Sequence, residues 1–281
     1  MGEIIVYDFG KKHRPVATIN DAAPAPSEND TKLATWNVRG IGACARKGGL
    51  DALIEYAPDV ICLQEVQVMS EDKIRNLLGR YKYHVTSNLS IDRNHKAGTV
   101  LMSREPPIKT AKSFDFDPLV GEGRVITAEY TDYYVVNVYA PAAITPARLR
   151  HKLEWWSSLQ GYLRQLQTKK ACIVCGDFNA TASDRDADSM IDPDSPGCTY
   201  HERRMLQQLN TAGFSDAYRI RHPRDAGYTW HVPHNQSVGM RLDYIYVSDN
   251  MMHKVVDVAR LTDIRTSDHV PLLMSFSKNS V

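Results

Sequence analysis

The chain has 281 residues, 43% of them hydrophobic and 24% charged, the balance of a folded soluble protein long enough for one large domain with a substantial core. Its net charge of +1 means that no overall field draws it to nucleic acid, so such binding must come from a local basic patch. No apolar run reaches the ~18 residues of a membrane helix, and Met1-Gly-Glu-Ile-Ile-Val6 lacks the basic start and apolar stretch of a secretory leader. Val6 also stands where myristoylation of Gly2 would want Ser or Thr.

Residues 1–31 mix Lys11-Lys-His-Arg14 with Ala22-Ala-Pro-Ala-Pro-Ser27, the composition of a mobile arm, and a single domain is expected over 32–281. Lys32 to Asn37 reads as a strand ending in an amide. Arg46 to Tyr56 reads as a helix burying Leu50, Leu53 and Ile54 and stopped by Pro58. Val60 to Glu65 is a second buried strand, this one ending in an acid. Ser70 then caps a short helix carrying Ile74, Leu77 and Leu78, with Gly79 as its terminator.

The middle of the chain is strand-rich, at Gly98 to Met102, Val125 to Tyr130 and Tyr134 to Tyr139, the last two joined tightly enough for a hairpin. Pro146 opens the longest helix. Leu149, Leu153, Trp156, Leu159, Leu163 and Leu166 recur by threes and fours, and Arg148, Arg150, Lys152 and Arg164 are assigned to a solvated face.

Ala171 to Cys175 is a strand too short for a helix, closed by Gly176, after which Asp177 and Asn179 stand two residues apart. Taken alone, that pair is most simply an Asx turn; with polar residues at other strand ends, it is a candidate site. Thr181 to Tyr200 is a long acidic loop, and Glu202 to Asn210 a helix. Strands follow at Tyr228 to His231, Leu242 to Val247 and Leu272 to Phe276, with the polar loop Arg265 to Pro271 between the last two. Interleaved helices with hairpins argue for α/β layers built on mixed sheets.

The five cysteines are an odd set, three of them in apolar contexts. Cys172 and Cys175 point to opposite faces of one strand, so they read as core thiols in a reducing compartment, not as a metal or redox pair.

Several of these strands end in a residue suited to metal or phosphate chemistry: Asn37, Glu65, Tyr139, Asp177 with Asn179, Asp243, and Asp268 with His269. Each alone has an ordinary explanation as a cap, a turn or a satisfied core histidine. Six coincidences along one chain do not. The ordered set Leu33-Ala-Thr-Trp-Asn-Val38, Ile61-Cys-Leu-Gln-Glu65, Gly123-Arg-Val125, Val138-Tyr-Ala-Pro141, Gly176-Asp-Phe-Asn179, Gly239-Met-Arg-Leu-Asp-Tyr244 and Ser267-Asp-His269 resembles the endonuclease/exonuclease/phosphatase superfamily. Within it, the set is most similar to exonuclease III-type apurinic/apyrimidinic (AP) endonucleases.

The resemblance implies a four-layered α/β sandwich, two packed mixed sheets flanked by helices, with the site at one end of both sheets. It implies Mg²⁺, with Mn²⁺ as a substitute, held by Glu65, with Asp268 either a further metal contact or a support standing behind the ligands. Asp177 would orient or deprotonate the attacking water, aimed by Asn37 and Asn179, and His269, held by Asp243, would bond the phosphoryl oxygen. Tyr139 would contact the phosphate or assist the leaving group. By position, Trp230, Met240 and Leu242 would wall a pocket for a flipped-out sugar, with Leu242 read equally well as plain core. The implied partner is duplex DNA carrying abasic or 3′-blocked lesions, cut by a monomer, with some 3′-exonuclease or 3′-phosphatase activity.

Four positions depart from the pattern. Arg39 replaces the acid usual two residues after the first Asn, and His95-Lys-Ala-Gly98 replaces a Gly-Tyr-Ser-Gly stretch. Ala142 replaces an Asn, and Met240 stands where Trp is common. They motivate alternatives within the superfamily, nicking of a retroelement target or trimming of RNA ends, and, outside catalysis, a nucleic-acid-binding relative. Nucleus, cytosol and mitochondrion are not distinguished.

Overall fold

The structure, a computed structural model, describes residue 27 and residues 29–68, 70–91 and 97–278; all but the end of the expected arm, and His95 and Lys96, lie outside them. The first half of the chain gives β1 (Thr31–Asn37), α1 (Ile41–Arg46), α2 (Gly49–Glu55), β2 (Val60–Gln64), α3 (Glu71–Leu78), β3 (His84–Asn88), β4 (Thr99–Ser103), β5 (Lys109–Ala111), β6 (Val125–Glu129) and β7 (Tyr133–Tyr139). The second half gives α4 (Pro146–Gln167), β8 (Ala171–Asp177), α5 (Tyr200–Thr211), β9 (Phe214–Asp216), α6 (Ala217–Arg221), β10 (Trp230–Val232), β11 (Asn235–Met240), β12 (Asp243–Ser248), α7 (Asp249–Met252), β13 (Val255–Arg260) and β14 (Leu272–Phe276).

Two six-stranded sheets form, in the orders β13-β14-β1-β2-β4-β3 and β5-β6-β7-β8-β12-β9, with β10 and β11 as a separate hairpin. Each sheet contains one parallel pair, β1 with β2 and β7 with β8, among antiparallel neighbours. The sheets are therefore mixed, as expected.

The alternation of each strand assigns its residues to layers. Leu33, Cys62 and Leu101 of the first sheet meet Ile126, Val135, Ile173, Cys175 and Ile245 of the second in a central core. The outer face of the first sheet, with Ala34, Trp36 and Leu63, packs on Ile41, Leu50, Leu53, Ile74 and Leu78 of the helices. The outer face of the second, with Val136, Cys172 and Val174, packs on Trp155, Trp156 and Leu159 of α4 and Leu206 of α5. These are the four layers. Cys172 and Cys175 lie in different layers, and all five cysteines are buried and free.

Two local expectations are corrected and one is refined. The helix read over Arg46 to Tyr56 starts only at Gly49, because Gly48 enters the left-handed region at φ 77° and separates α2 from α1, which ends at Arg46. Gly79 is the C-cap of α3, as expected, but not in a left-handed conformation; its φ of −58° leads into a short 3₁₀ turn, and Lys82 takes the left-handed position. Lys152 is not on a solvated face. Its side chain and that of Glu202 are both 0% exposed, joined at 2.6 Å.

That buried pair is tied on every side. Lys152 Nζ also donates to the Asn179 carbonyl at 2.7 Å, and Glu202 Oε2 accepts from Gly197 N at 2.8 Å and Thr199 Oγ1 at 2.7 Å. Burial lowers the Lys152 pKa, and the neighbouring carboxylate opposes it. Lys152→Met would strand a buried carboxylate, so a loss of roughly 3–5 kcal/mol is expected by chemical denaturation. Adding Glu202→Gln should recover part of it. A loss below about 1 kcal/mol, the worth of an exposed pair, would contradict this account.

Candidate active site

Three of the expected residues lie in one row across the second sheet. Tyr139 on β7 is in register with Asp177 on β8, which is in register with Asp243 on β12. The row can close up because the strand β8 carries Gly176 next to it. A Cβ there would lie 1.9 Å from the Val138 carbonyl oxygen, in a backbone at φ 140°. The first sheet supplies Asn37 at the end of β1 and Glu65 just past β2. The loop before β14 supplies Asp268 and His269.

The side chains then meet across the gap between the sheets. Asn37 Nδ2 donates to Asp177 Oδ2 at 2.8 Å and to Glu65 Oε1 at 3.1 Å, while its Oδ1 accepts from Arg39 N at 3.0 Å. Tyr139 donates its hydroxyl to Glu65 Oε1 at 2.8 Å. Asn179 gives its backbone N–H to Asp177 Oδ1 at 2.8 Å and its side-chain amide to the Ala140 carbonyl at 2.8 Å. His269 Nδ1 lies 2.8 Å from Asp243 Oδ2. Every residue expected at the reacting centre is in this network or, for Asp268, at its edge.

The histidine is fixed from both sides. Trp36 Nε1 donates to the His269 carbonyl at 2.9 Å, and Thr229 Oγ1 accepts from Asp243 N at 3.0 Å, clamping the acid that faces the ring. Ser267 Oγ donates to the Asn37 carbonyl at 2.8 Å, so the histidine loop is tied to the first sheet.

Charge and burial set the protonation states. Burial, and then repulsion from Asp243, push the Asp177 carboxyl up to about 7; His269, the Asn37 amide and the Asn179 N–H oppose that rise. Burial alone would lower His269, yet Asp243 and then Asp177 and Asp268 raise it from 6.5 to about 10. The ring is thus an imidazolium at neutral pH. Burial, then Glu65 and Asp177, hold the Tyr139 hydroxyl well above its usual range, so it keeps its proton.

Four non-glycine residues around the site hold positive φ: Arg39 at 44°, Glu65 at 49°, Gln67 at 53° and Asn179 at 49°. Such conformations cost of order 1–3 kcal/mol each and persist where surroundings over-determine them.

Asp177, Asp243 and His269 each bring a potential ligand atom within 4.8 Å of the others. Within that trio, the His269 ring is already held through Nδ1 by Asp243, an arrangement suited to proton and hydrogen-bond work. Glu65 is different. It is only partly buried, and its oxygens accept from the neutral donors Asn37, Tyr139 and, at 3.2 Å, Gln67. A hard carboxylate open to solvent fits Mg²⁺, which keeps several of its waters.

Beside the network, Met240 and Leu242 form an apolar cluster with Cys198, against which Trp230, Ala187 and Ile191 pack. The three expected pocket residues thus come together, walled by the acidic loop. That loop is not loose over Asp186. Buried Asp186 accepts from Arg241 Nε and Arg219 Nη2, each at 2.7 Å.

Sequence reasoning gave no role to Arg124, Thr229, Ser267 or Gln67. Arg124 lies inside a motif it did quote, and its guanidinium stacks on the Tyr139 ring at 5.2 Å and donates to the Tyr139 carbonyl at 3.2 Å. Ser267 likewise opens the quoted Ser267-Asp-His269, while Thr229 and Gln67 are polar residues in loops with no spacing that marks them.

A model of the Endonuclease/Exonuclease/phosphatase family matches residues 34–269. The chain is 31% identical to DNA-(apurinic or apyrimidinic site) endonuclease of Dictyostelium discoideum, over 92% of this chain and 73% of that protein. It is 30% identical to the exodeoxyribonuclease of Bacillus subtilis, over 86% and 97% respectively. It is also 30% identical to recombination repair protein 1 of Drosophila melanogaster, of whose length it spans 38%. The solved structure of an AP endonuclease from Archaeoglobus fulgidus superposes with a TM-score of 0.78 at 26% identity, covering 88% of this chain and 99% of that one.

The linkage of His269 to stability has a definite sign. Its folded pKa is raised, so its contribution is whole below 6.5 and is lost as pH rises towards about 10. By NMR, the His269 ring should remain protonated at pH 8 in the wild-type protein and titrate at lower pH in Asp243→Asn. A wild-type midpoint near 6.5 would contradict the assignment.

Proposed function

Since the chain belongs to the endonuclease/exonuclease/phosphatase family, we propose that it is a Mg²⁺-dependent phosphodiester hydrolase of DNA, an AP endonuclease that cuts 5′ to abasic sites. The observation that carries this reading is the Asp177–Asn37–Glu65 bridge beside a His269 imidazolium. One group is poised to take a proton, another is a hard cation ligand, and a third is a charged hydrogen-bond donor.

Asp177 accepts the proton of the attacking water as its oxygen bonds to phosphorus. A carboxyl titrating at about 7 is well matched to a base working near neutral pH. Asn37 and the Asn179 N–H fix the two carboxylate oxygens and so aim the water. His269, oriented through Nδ1 by Asp243, donates from its other nitrogen to the phosphoryl oxygen where negative charge builds. Tyr139, which keeps its proton, contacts the same phosphate as the bond to the leaving 3′ oxygen breaks. Glu65 and Asp268 would hold Mg²⁺, which supplies charge stabilisation to the phosphoryl oxygens.

The apolar cluster of Trp230, Met240 and Leu242 supports a pocket for a sugar lacking its base, which needs walls but no base-edge donors. Exodeoxyribonuclease among the relatives supports an accompanying 3′-trimming activity. The buried free thiols support a reducing compartment, and among the described residues no helix is long and apolar enough to cross a membrane.

With Mg²⁺ and labelled duplexes, the abasic strand should be cut once, 5′ to the lesion, and EDTA should stop the reaction. Equal cleavage of undamaged DNA or RNA would favour target nicking or RNA trimming instead. Asp177→Asn and His269→Ala should each lower turnover by roughly 10²–10⁴-fold with the fold intact by circular dichroism. Wild-type turnover should rise with pH through about 7 as Asp177 ionises. A rate that is flat between pH 5 and 8 would remove Asp177 from the role of base.

A further inference from the structure

The two carboxylates assigned to the cation, Glu65 and Asp268, stand in opposite electrostatic settings. Glu65 accepts only from neutral groups. Asp268 Oδ2 instead accepts from the Arg39 guanidinium at 2.9 Å and from the Trp230 indole N–H at 3.2 Å. Its Oδ1 lies 3.4 Å from Ser267 Oγ. A carboxylate already neutralised by a guanidinium is a poor partner for a divalent ion, and the guanidinium repels that ion as well.

The pair is built to come apart. The Arg39 side chain is 57% exposed, against 16% for Asp268, and an exposed pair of this kind contributes at most about 1 kcal/mol. What fixes Arg39 is its backbone, whose N–H is bonded to Asn37 and whose φ is 44°. The guanidinium is held to Asp268 by one bond from an exposed side chain, and a phosphate, which it can grip with two parallel bonds, competes well with a single-bonded carboxylate. The same Asp268 oxygen holds the indole of Trp230, which packs on the Met240 and Leu242 cluster proposed to receive the sugar.

We propose that Arg39 is a gate on the metal site. In the free protein it occupies Asp268 and leaves Glu65 as the cation's carboxylate; a nucleic-acid phosphate draws the guanidinium away and releases Asp268 to the metal. Metal and substrate then bind cooperatively, and the coupling is reciprocal. This rests on the phosphodiesterase reading for the identity of the phosphate, but the gate itself can be read without any turnover.

The test is Mn²⁺ binding to the full chain, followed by the loss of the free-ion electron paramagnetic resonance signal. Without DNA, Arg39→Met should bind Mn²⁺ roughly three- to tenfold more tightly than wild type, and adding Asp268→Asn should remove that gain. After subtraction of the Mn²⁺ held by the duplex alone, a duplex with non-cleavable phosphorothioate linkages should tighten Mn²⁺ binding by wild type at least about threefold more than by Arg39→Met, where only the phosphate's own contact with the cation remains. Equal affinities for wild type and Arg39→Met, a gain that survives Asp268→Asn, or a duplex without effect on wild type would each overturn the gate. Intact coupling in a protein that cuts no abasic duplex would count against the AP endonuclease reading alone.

Discussion

The Asn37 carboxamide donates its two N–H bonds to carboxylates carried by different sheets, Asp177 of the second and Glu65 of the first. With its oxygen also taken, by Arg39 N, all three bonds have specified partners, and any slip between the layers would break them. Deeper in the sandwich, Gln64 on β2 donates to Asn137 on β7 at 2.8 Å, and Asn137 donates back to the Val100 carbonyl of the first sheet at 2.9 Å. Apolar packing alone would allow the two sheets several alignments. Buried polar groups left without partners would cost ~1–3 kcal/mol each, so these ties select the alignment that also assembles the site.

The same end of the molecule collects most of what is locally unfavourable. Arg39, Glu65, Gln67 and Asn179 hold left-handed backbones, and Asp177 and Asp243 are buried side by side on adjacent strands. One consequence is that Asp177 is kept from ionising fully at neutral pH while His269 is kept charged, a pairing suited to moving one proton and stabilising one developing charge. The compensation comes from rigid surroundings. The Lys152–Glu202 pair reaches from α4 and α5 to the Asn179 carbonyl, so two helices of the outer layer brace the turn that presents Asn179.

Strand ends were legible in the sequence because a buried strand is a short apolar run, and a polar residue at either end of it stands out. That is how Asn37, Glu65, Asp177 and Asp243 could be found. Their order along the chain then identified the family. Lys152 could not be read correctly, since a lysine among apolar residues at helical spacing looks the same whether it faces water or a buried Glu202 fifty residues on. Arg241, Asp186 and Arg219 were hidden for the same reason. The short edge strands at His84–Asn88, Lys109–Ala111 and Phe214–Asp216 carry too few apolar residues to show a period of two, and form because a neighbouring strand offers them partners. Arg39 was visible as a departure, while its bond to Asp268 needed the fold.

The central claim is that residues from both sheets act as one unit through Asn37, and a double-mutant cycle on turnover of an abasic duplex tests it most directly. If the unit is real, Asn37→Ala combined with Asp177→Asn should be little worse than the more damaging single change, leaving a coupling of tenfold or more, about 1.4 kcal/mol. Losses that simply multiply would show that the two residues act independently, and would contradict the account.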